Sequence, residues 1–430
     1  MNLTPRVAVQ FGRFVGARPA ETPALLAAFA YNFLLFAAYY ILRPLRDSMG
    51  VTGGVENLDD LFGFTLLGML LAVPLFGWVS GRFRRAVFLP WTYALFVIKL
   101  VAFWAAFRLA SDDAPTARVF FVWVSVFNLF VVSVFWSLMA DLFDKEQGKR
   151  LFAFIGAGAS SGAIAGSSIP AFFAKTLGDV NLLLISAALL ASTIGLMRFL
   201  LGWRAGQEQR SGRLPERPIG GNPFAGIGRV FTSGYLSGIA AFVFLMAAVS
   251  TFLYLQQAEL LRVHFPDGSE RTAFLSRIEL ILSMITVVLQ VFAIGRLTTR
   301  LGVTPMLVSV PFFVVAGFLL IAASPTLATL VGVFIARRVG QYAVVRPCRE
   351  MLYTTVDRES KYKAKNVNDT LVYRTSDFVV AKGHDAIVAA YSASLSSIAL
   401  LGAGVAAVWA VVAFLLGRAH ERMAPARPPG

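Results

Sequence analysis

One cysteine, three histidines and few charges are what this 430-residue sequence has least of. Cys348 standing alone excludes an internal disulfide, and His264, His384 and His420 fall at no ligand-like spacing, which argues against a structural metal site. There is no Walker-type glycine loop, no nucleophile–base set and no ATPase domain, so enzymatic readings recede, no cofactor is implied, and gradients or exchange remain as energy sources. Acidic residues are also scarce: 24 Asp and Glu stand against 39 Lys and Arg, a net charge of +15. In a soluble chain that surplus suggests nucleic acid. Here orientation in a membrane is the better explanation, because cytoplasmic loops of membrane proteins are rich in Lys and Arg, and no nucleic-acid partner is expected.

What is abundant is apolar length. The composition is 57% hydrophobic, with a mean hydropathy of +0.69, and many uncharged stretches approach the roughly 18–20 residues that cross a hydrocarbon core about 30 Å thick. Hydropathy predicts spans near 23–42, 61–79, 86–107, 119–140, 151–174, 180–200, 230–255, 273–295, 303–323, 327–350, 369–390 and 396–416. The predicted fold class is therefore an all-α integral membrane protein of twelve transmembrane helices. Basic residues follow the even-numbered spans, as in Arg82, Arg84 and Arg85, Lys145, Lys149 and Arg150, and Arg296 and Arg300. Aspartates mark the opposite loops, as in Asp59 with Asp60 and Asp112 with Asp113. Both termini are thus expected in the cytoplasm, in a bacterial inner membrane, with residues 1–22 as an N-terminal arm that lacks the central apolar run of a signal peptide, and 418–430 as a tail.

Residues 202–229, "GWRAGQEQRSGRLPERPIGGNPFAGIGR", break the hydropathy pattern with Gly, Pro and Arg and read as a cytoplasmic linker between bundles at 23–201 and 230–417. A weak repeat agrees: "GR" at 81–82 recurs at 295–296, and "DKEQGK" at 144–149 resembles "DRESKYK" at 357–363. Two six-helix halves suit an alternating-access transporter with its substrate site between them near the midplane, working as a monomer in the lipid bilayer.

An ionisable side chain in hydrocarbon costs at least roughly 2.5–3.5 kcal/mol on insertion scales, so it faces a partner or a wet cavity. Lys99 lies about 20 Å into span three at 1.5 Å per residue, close to mid-membrane, either in a substrate cavity or against an acid of its own half. In span ten Arg338, Tyr342, Arg346 and Arg349 recur at spacings of four, four and three, one helical face of guanidinium groups suited to phosphate. The plain alternative is that Arg346 and Arg349 snorkel at the helix end. Span eleven carries Arg374 and Asp377, which neutralise each other or contribute to a site, and Lys382, a second candidate for anion binding. Glu279 in span eight has Arg277 only on a different face, which makes it a candidate proton carrier. Gly158, Gly162 and Gly166 repeat every four residues in span five and allow close approach of another backbone. Asp141, closing span four, and Lys149 with Arg150, opening span five, read as structural or gating groups.

The segment "GWVSGRFRR" at 77–85 resembles the loop-2–3 signature of the major facilitator superfamily, with Gly81 standing where the acid belongs. "AAYYILRPLRDSMGV", residues 37–51, places Arg43, Arg46 and Asp47 on neighbouring positions of one face at the expected outer end of span one. By geometry alone these are interfacial anchors. Yet Tyr40, Leu42, Arg43, Arg46 and Asp47 resemble the span-one motif of the ATP:ADP antiporter family of intracellular bacteria and plastids. "GKRLFAFIGAGAS" at 148–160 is similar to that family's loop into span five, and "KYKAKNVNDT" at 361–370 to its lysine-rich approach to span eleven. Departures are Arg46 for the usual lysine, Pro44, and Gln147-Gly148 where a glutamate precedes Lys-Arg. The resemblance implies a facilitator-type fold, exchange of ATP and ADP or another organic phosphate, and a span-one basic residue on the phosphates. Beside it stands a proton-coupled facilitator for a different solute, using Glu279 or Asp377 as proton carrier.

Overall fold

The computed structural model describes residues 17–82, 85–211, 230, 232–294, 297, 300–391 and 394–423. The arm at 1–16, most of the linker at 212–229, part of the loop signature at 77–85 and the end of the tail lie outside them or carry no described side chain. Among the described residues twelve long helices run in the order α1 (Thr22–Thr52), α2 (Leu58–Arg82), α3 (Arg85–Leu109), α4 (Ala114–Leu142), α5 (Lys145–Leu177), α6 (Leu182–Ser211), α7 (Gly234–His264), α8 (Gly268–Leu289), α9 (Val303–Ala323), α10 (from Leu327), α11 (from Arg358) and α12 (Leu395–Met423). Ten are long and apolar enough to cross a bilayer by length and composition.

Helix ends differ from the hydropathy boundaries. α1 continues ten residues past Leu42, through Pro44, to Thr52. A charge ends a hydropathy window but not a helix, provided that the charge finds a partner. Arg43, Arg46 and Asp47 are therefore interior residues of α1 rather than its outer end. Three turns are widened into π-helix: Gln290–Ile294 after α8, Gln341–Val345 within α10 and Asn368–Val372 within α11. The α10 turn has an evident cause. Pro347 has no N–H to give, and its ring crowds the carbonyl four residues earlier, so the preceding turn opens. An opened turn frees a carbonyl, and Gln290 Nε2 donates to that of Tyr342 at 3.1 Å.

The chain forms two compact units. The first comprises Met1–Gly53, Leu75–Gly220 and Asp267–Leu280. In it α1 packs on α4, α5 and α6, around a core that includes Tyr31, Leu35, Phe120, Phe127, Phe135 and Leu190. The α1–α5 contact is backbone on backbone. A Cβ on Gly158 would stand 2.7 Å from the Phe29 oxygen, one on Gly162 3.0 Å from Phe33 Cα, and one on Gly166 2.7 Å from Ala37 Cα. Glycine at every fourth residue of α5 thus seats every fourth residue of α1. The start of α8 joins this unit through Ala273, which packs with Ile41, Ala174 and Leu182.

The second unit comprises Gly54–Pro74, Gly221–Pro266 and Ile281–Gly430. Here α12 packs on α7 and α9, and α7 on α11. The start of α2 belongs to it, with Phe62 edge-on to Tyr254 and Gly63 against Phe378. The segments read as repeats play one role in both places. Asp144 accepts from the Gln147 N–H at 2.8 Å to cap α5, and Asp357 accepts from the Ser360 N–H at 2.9 Å to cap α11.

Candidate functional site

In the first unit the arginines of α1 are held in place by their surroundings. Arg46 Nε donates to Asp47 Oδ1 at 3.0 Å, and its Nη1 to Ser125 Oγ of α4 at 3.4 Å. The guanidinium lies over the Phe121 ring, 5.2 Å from the centroid. Arg43 extends over Tyr40 and reaches Glu279 of α8, Nη1 to Oε2 3.5 Å, with the two side chains 15% and 4% exposed. Asp47 accepts from Arg46. One sequence expectation changes here. Glu279, which Arg277 cannot reach, is met by an arginine from α1, while Arg277 is exposed with its Nε on the Ala171 carbonyl at 3.3 Å.

α8 carries a polar stripe that hydropathy hides. Thr272, Ser276, Glu279, Ser283 and Thr286 recur at spacings of four and three, and all are buried. The spacing was the available signal.

In the second unit, α10 and α11 bring together a dense basic cluster. Arg337 and Arg338 are buried, at 5% and 3% exposed. Arg337 Nη1 donates to Gln341 Oε1 at 2.9 Å. Arg338 Nη2 reaches the Tyr342 hydroxyl at 3.5 Å and stacks 5.3 Å from the Phe334 centroid. Just past the α11 π turn, Arg374 Nη1 donates to Asp377 Oδ2 at 3.0 Å, and Thr251 Oγ1 of α7 donates to Asp377 Oδ1 at 2.9 Å. Arg374 also lies 5.6 Å from the Tyr373 centroid, and Arg337 and Tyr342 lie within electrostatic reach of Tyr373. Three arginines, three aromatic rings and one carboxylate thus flank two π turns, a helix irregularity frequent at functional sites. Arg337, Thr251 and Tyr373 were not singled out in the sequence, although the doublet Arg337-Arg338 inside an apolar span was visible there.

Other candidates lie elsewhere. The expected ladder along α10 does not continue, because the extra residue of the π turn rotates the residues after it by about 100°. Arg346 is exposed, and Arg349 Nη1 pairs with Asp369 Oδ1 at 2.9 Å. Lys382 is bound by carboxylates of α2, at 2.5 Å from Asp59 Oδ2 and 2.8 Å from Asp60 Oδ1, a poor arrangement for receiving an anion. Lys99 is exposed on the side of α3 that carries Trp91, Leu95 and Ile98, whereas Tyr93 and Leu100 face the core. The expected cavity position is thereby corrected: an exposed lysine on an apolar face suits snorkelling. Asp141 is exposed at the end of α4. Lys149 pairs with Glu146 at the surface, and Arg150 Nη2 donates to Glu21 Oε1 at 3.1 Å, tying the start of α5 to that of α1.

Residues 24–348 match the sequence profile of the Major Facilitator Superfamily. The chain belongs to that superfamily. Its solved structural relatives include a bacterial homologue of the human lysosomal transporter Spinster, in an inward-facing, unoccupied conformation, at 16% identity, TM-score 0.59, and coverage of 95% of this chain and 100% of the other. The nucleoside transporter NupG, as a D323A mutant, gives 16%, 0.61, and 93% and 99%. A bacterial homologue of the iron transporter ferroportin, in an inward-facing state, gives 13%, 0.64, and 93% and 98%. No curated protein matches the chain by sequence. At these identities the likeness concerns the fold, and the facilitators concerned carry unlike substrates. This protein is a multi-pass secondary transporter whose substrate must be argued from its own residues.

Proposed function

We propose that this facilitator carries an organic anion, a nucleotide or another organic phosphate, by alternating access and exchange. The observation that carries the reading is the cluster of Arg337, Arg338 and Arg374 with Phe334, Tyr342 and Tyr373 on membrane helices. Guanidinium groups offer planar, paired donors that match phosphate oxygens, and aromatic faces accept a planar base. Three arginines beside one carboxylate, within a region that penalises charge, favour a ligand that brings negative charge of its own. Within the first unit, Arg43 and Arg46 of α1 stand at the positions where the resemblance to ATP:ADP antiporters puts phosphate contacts.

On this reading the moving bodies are the six-helix halves 23–201 and 230–417, joined by the 202–229 linker, in a monomer. The basic loops set the termini on the cytoplasmic side of a bacterial inner membrane. The rival reading, a proton-coupled carrier of another solute, needs an acid able to release its charge, and both candidates, Glu279 and Asp377, are engaged by arginines.

Thermal-shift measurement on the purified protein tests the proposal, with ATP, ADP, pyrophosphate and glycerol phosphate set against adenosine and neutral sugars. A ligand at about a hundred times its Kd stabilises the folded state by roughly 2.7 kcal/mol. Phosphates should raise the melting temperature, and Arg46→Ala or Arg374→Ala should weaken that response. Stabilisation by the neutral solutes and by none of the phosphates would overturn the reading.

A further inference from the structure

We infer that Gln341 is a substrate-facing donor of the α10 cluster, its amide fixed from behind by Arg337. The inference rests on the phosphate reading above and adds a binding residue to it, with Arg337 acting as a positioning residue. Gln341 opens the π turn of α10, about 21 Å along the helix from Leu327 at 1.5 Å per residue, deep in a hydrocarbon core about 30 Å thick. Its backbone N–H is shared between the Arg337 and Arg338 carbonyls, which ties the residue to both arginines.

Hydrogen-bond chemistry fixes which way the amide points. A guanidinium only donates, so the atom that Arg337 Nη1 meets at 2.9 Å must be the amide oxygen, Oε1. Nε2, with its two N–H groups, is thereby turned away from that arginine. Arg337 is buried and makes further contacts, so it is anchored beneath the amide and does not swing out to a ligand. Gln341 itself is half-buried. Among the described residues no acceptor meets Nε2, and the atom is open to its surroundings instead of sealed in the packing. The acceptors close to it serve other donors: Asp377 takes Arg374 and Thr251, and the Tyr342 carbonyl, freed by the π turn, takes Gln290. An amide donor turned to hydrocarbon would forfeit its hydrogen bonds, so the counterpart of Nε2 is a wet cavity or a ligand within it. Donation from Arg337 into Oε1 polarises the amide and strengthens its N–H groups as donors. Toward the ligand Gln341 can then only give, which suits an atom with lone pairs and no proton, such as a phosphate oxygen.

Isothermal titration with pyrophosphate tests the inference. Gln341→Met keeps the length of the side chain without its donors and should bind about tenfold more weakly than wild type or worse, the size of one hydrogen bond to a charged group. Gln341→Glu still accepts from Arg337, so it should melt no lower than wild type, yet it should bind pyrophosphate more weakly still, because a like charge replaces the donor. Arg337→Lys keeps the charge and loses the planar fork; it should weaken binding in wild type and change nothing further in Gln341→Met. Equal affinity of wild type and a folded Gln341→Met overturns the contact, and if that variant does not fold, undiminished binding by Gln341→Glu does so. A further loss on adding Arg337→Lys to Gln341→Met overturns the positioning role, since the arginine would then touch the ligand itself. In each of these cases the phosphate reading survives, because wild type binds pyrophosphate. If wild type binds neither pyrophosphate nor ADP, both fall.

Discussion

The glycine ladder of α5 allows one substitution to be predicted with opposite signs at two positions of one helix. Gly162 sits against the backbone of α1, where an added Cβ would lie 3.0 Å from Phe33 Cα and closer still to its carbonyl oxygen. Carbon atoms rest at about 3.5–4.0 Å, so α1 must retreat by roughly 0.5 Å or more. Backbone cannot rotate out of the way as a flexible side chain can, and overpacking of this kind costs about 1–3 kcal/mol. Gly156, earlier in the same helix, has nothing within 4 Å of the same added atom. Gly156→Ala should gain about 0.5–1 kcal/mol from the lower backbone entropy of alanine. The two variants should therefore differ by roughly 1.5–4 kcal/mol. Unfolding of the purified protein in detergent, followed by intrinsic fluorescence, would rank Gly156→Ala above wild type and Gly162→Ala below it. Gly166→Ala adds a functional consequence. It presses on Ala37, nearly two turns before Arg43, and should weaken anion binding as well as stability, since the register of α1 on α5 aims that arginine. Equal stability of Gly156→Ala and Gly162→Ala would refute the close-packing argument.

Other outcomes rest on the same geometry. Lys99→Ala should leave ADP affinity and transport in proteoliposomes unchanged, and a large loss of either would return Lys99 to the substrate path. Arg338→Ala should weaken ADP binding by about tenfold or more, with Arg338→Lys intermediate because a point charge replaces a two-pronged donor; titration in which the lysine variant binds as wild type does would count against a bidentate contact. Burial raises the Glu21 carboxyl, but hydrogen bonds from Arg150, the Arg18 N–H and Gln147 outweigh it and leave the group below the usual glutamate value. Its stabilising contribution is therefore complete above that value and lost as pH falls through the lowered one, so wild type and Glu21→Gln should differ in melting temperature near neutrality and converge as the medium is acidified past the lowered value. A pH-independent difference would assign the effect to packing instead.

What the sequence disclosed and what it concealed divide along physical lines. Depth in the membrane comes from counting residues along one helix, so Lys99 and Glu279 were recognisable as mid-span charges. Azimuth was harder for Lys99, because its neighbours Ile98 and Leu100 are both apolar and only packing separates the exposed one from the buried one. Pairing over long separation left no local trace at all. By spacing alone Arg43 reads as an interfacial anchor, because hydropathy ends at Leu42, and Glu279 as unneutralised, because its nearest arginine in sequence lies on a different face. The contact between the two leaves no sign in either segment. The ladder Arg338, Tyr342, Arg346 and Arg349 failed for a different reason. It assumed about 3.6 residues per turn across Pro347, and a proline inside a helix is itself the sign that the turn before it does not keep that period. The first two members, before the break, remain together with Phe334, while Arg346 and Arg349 diverge. Helical periodicity is thus a sound guide to a shared face only up to the first residue that cannot donate its hydrogen bond, and in α10 that limit separates the candidate anion site from the surface charges that resembled its continuation.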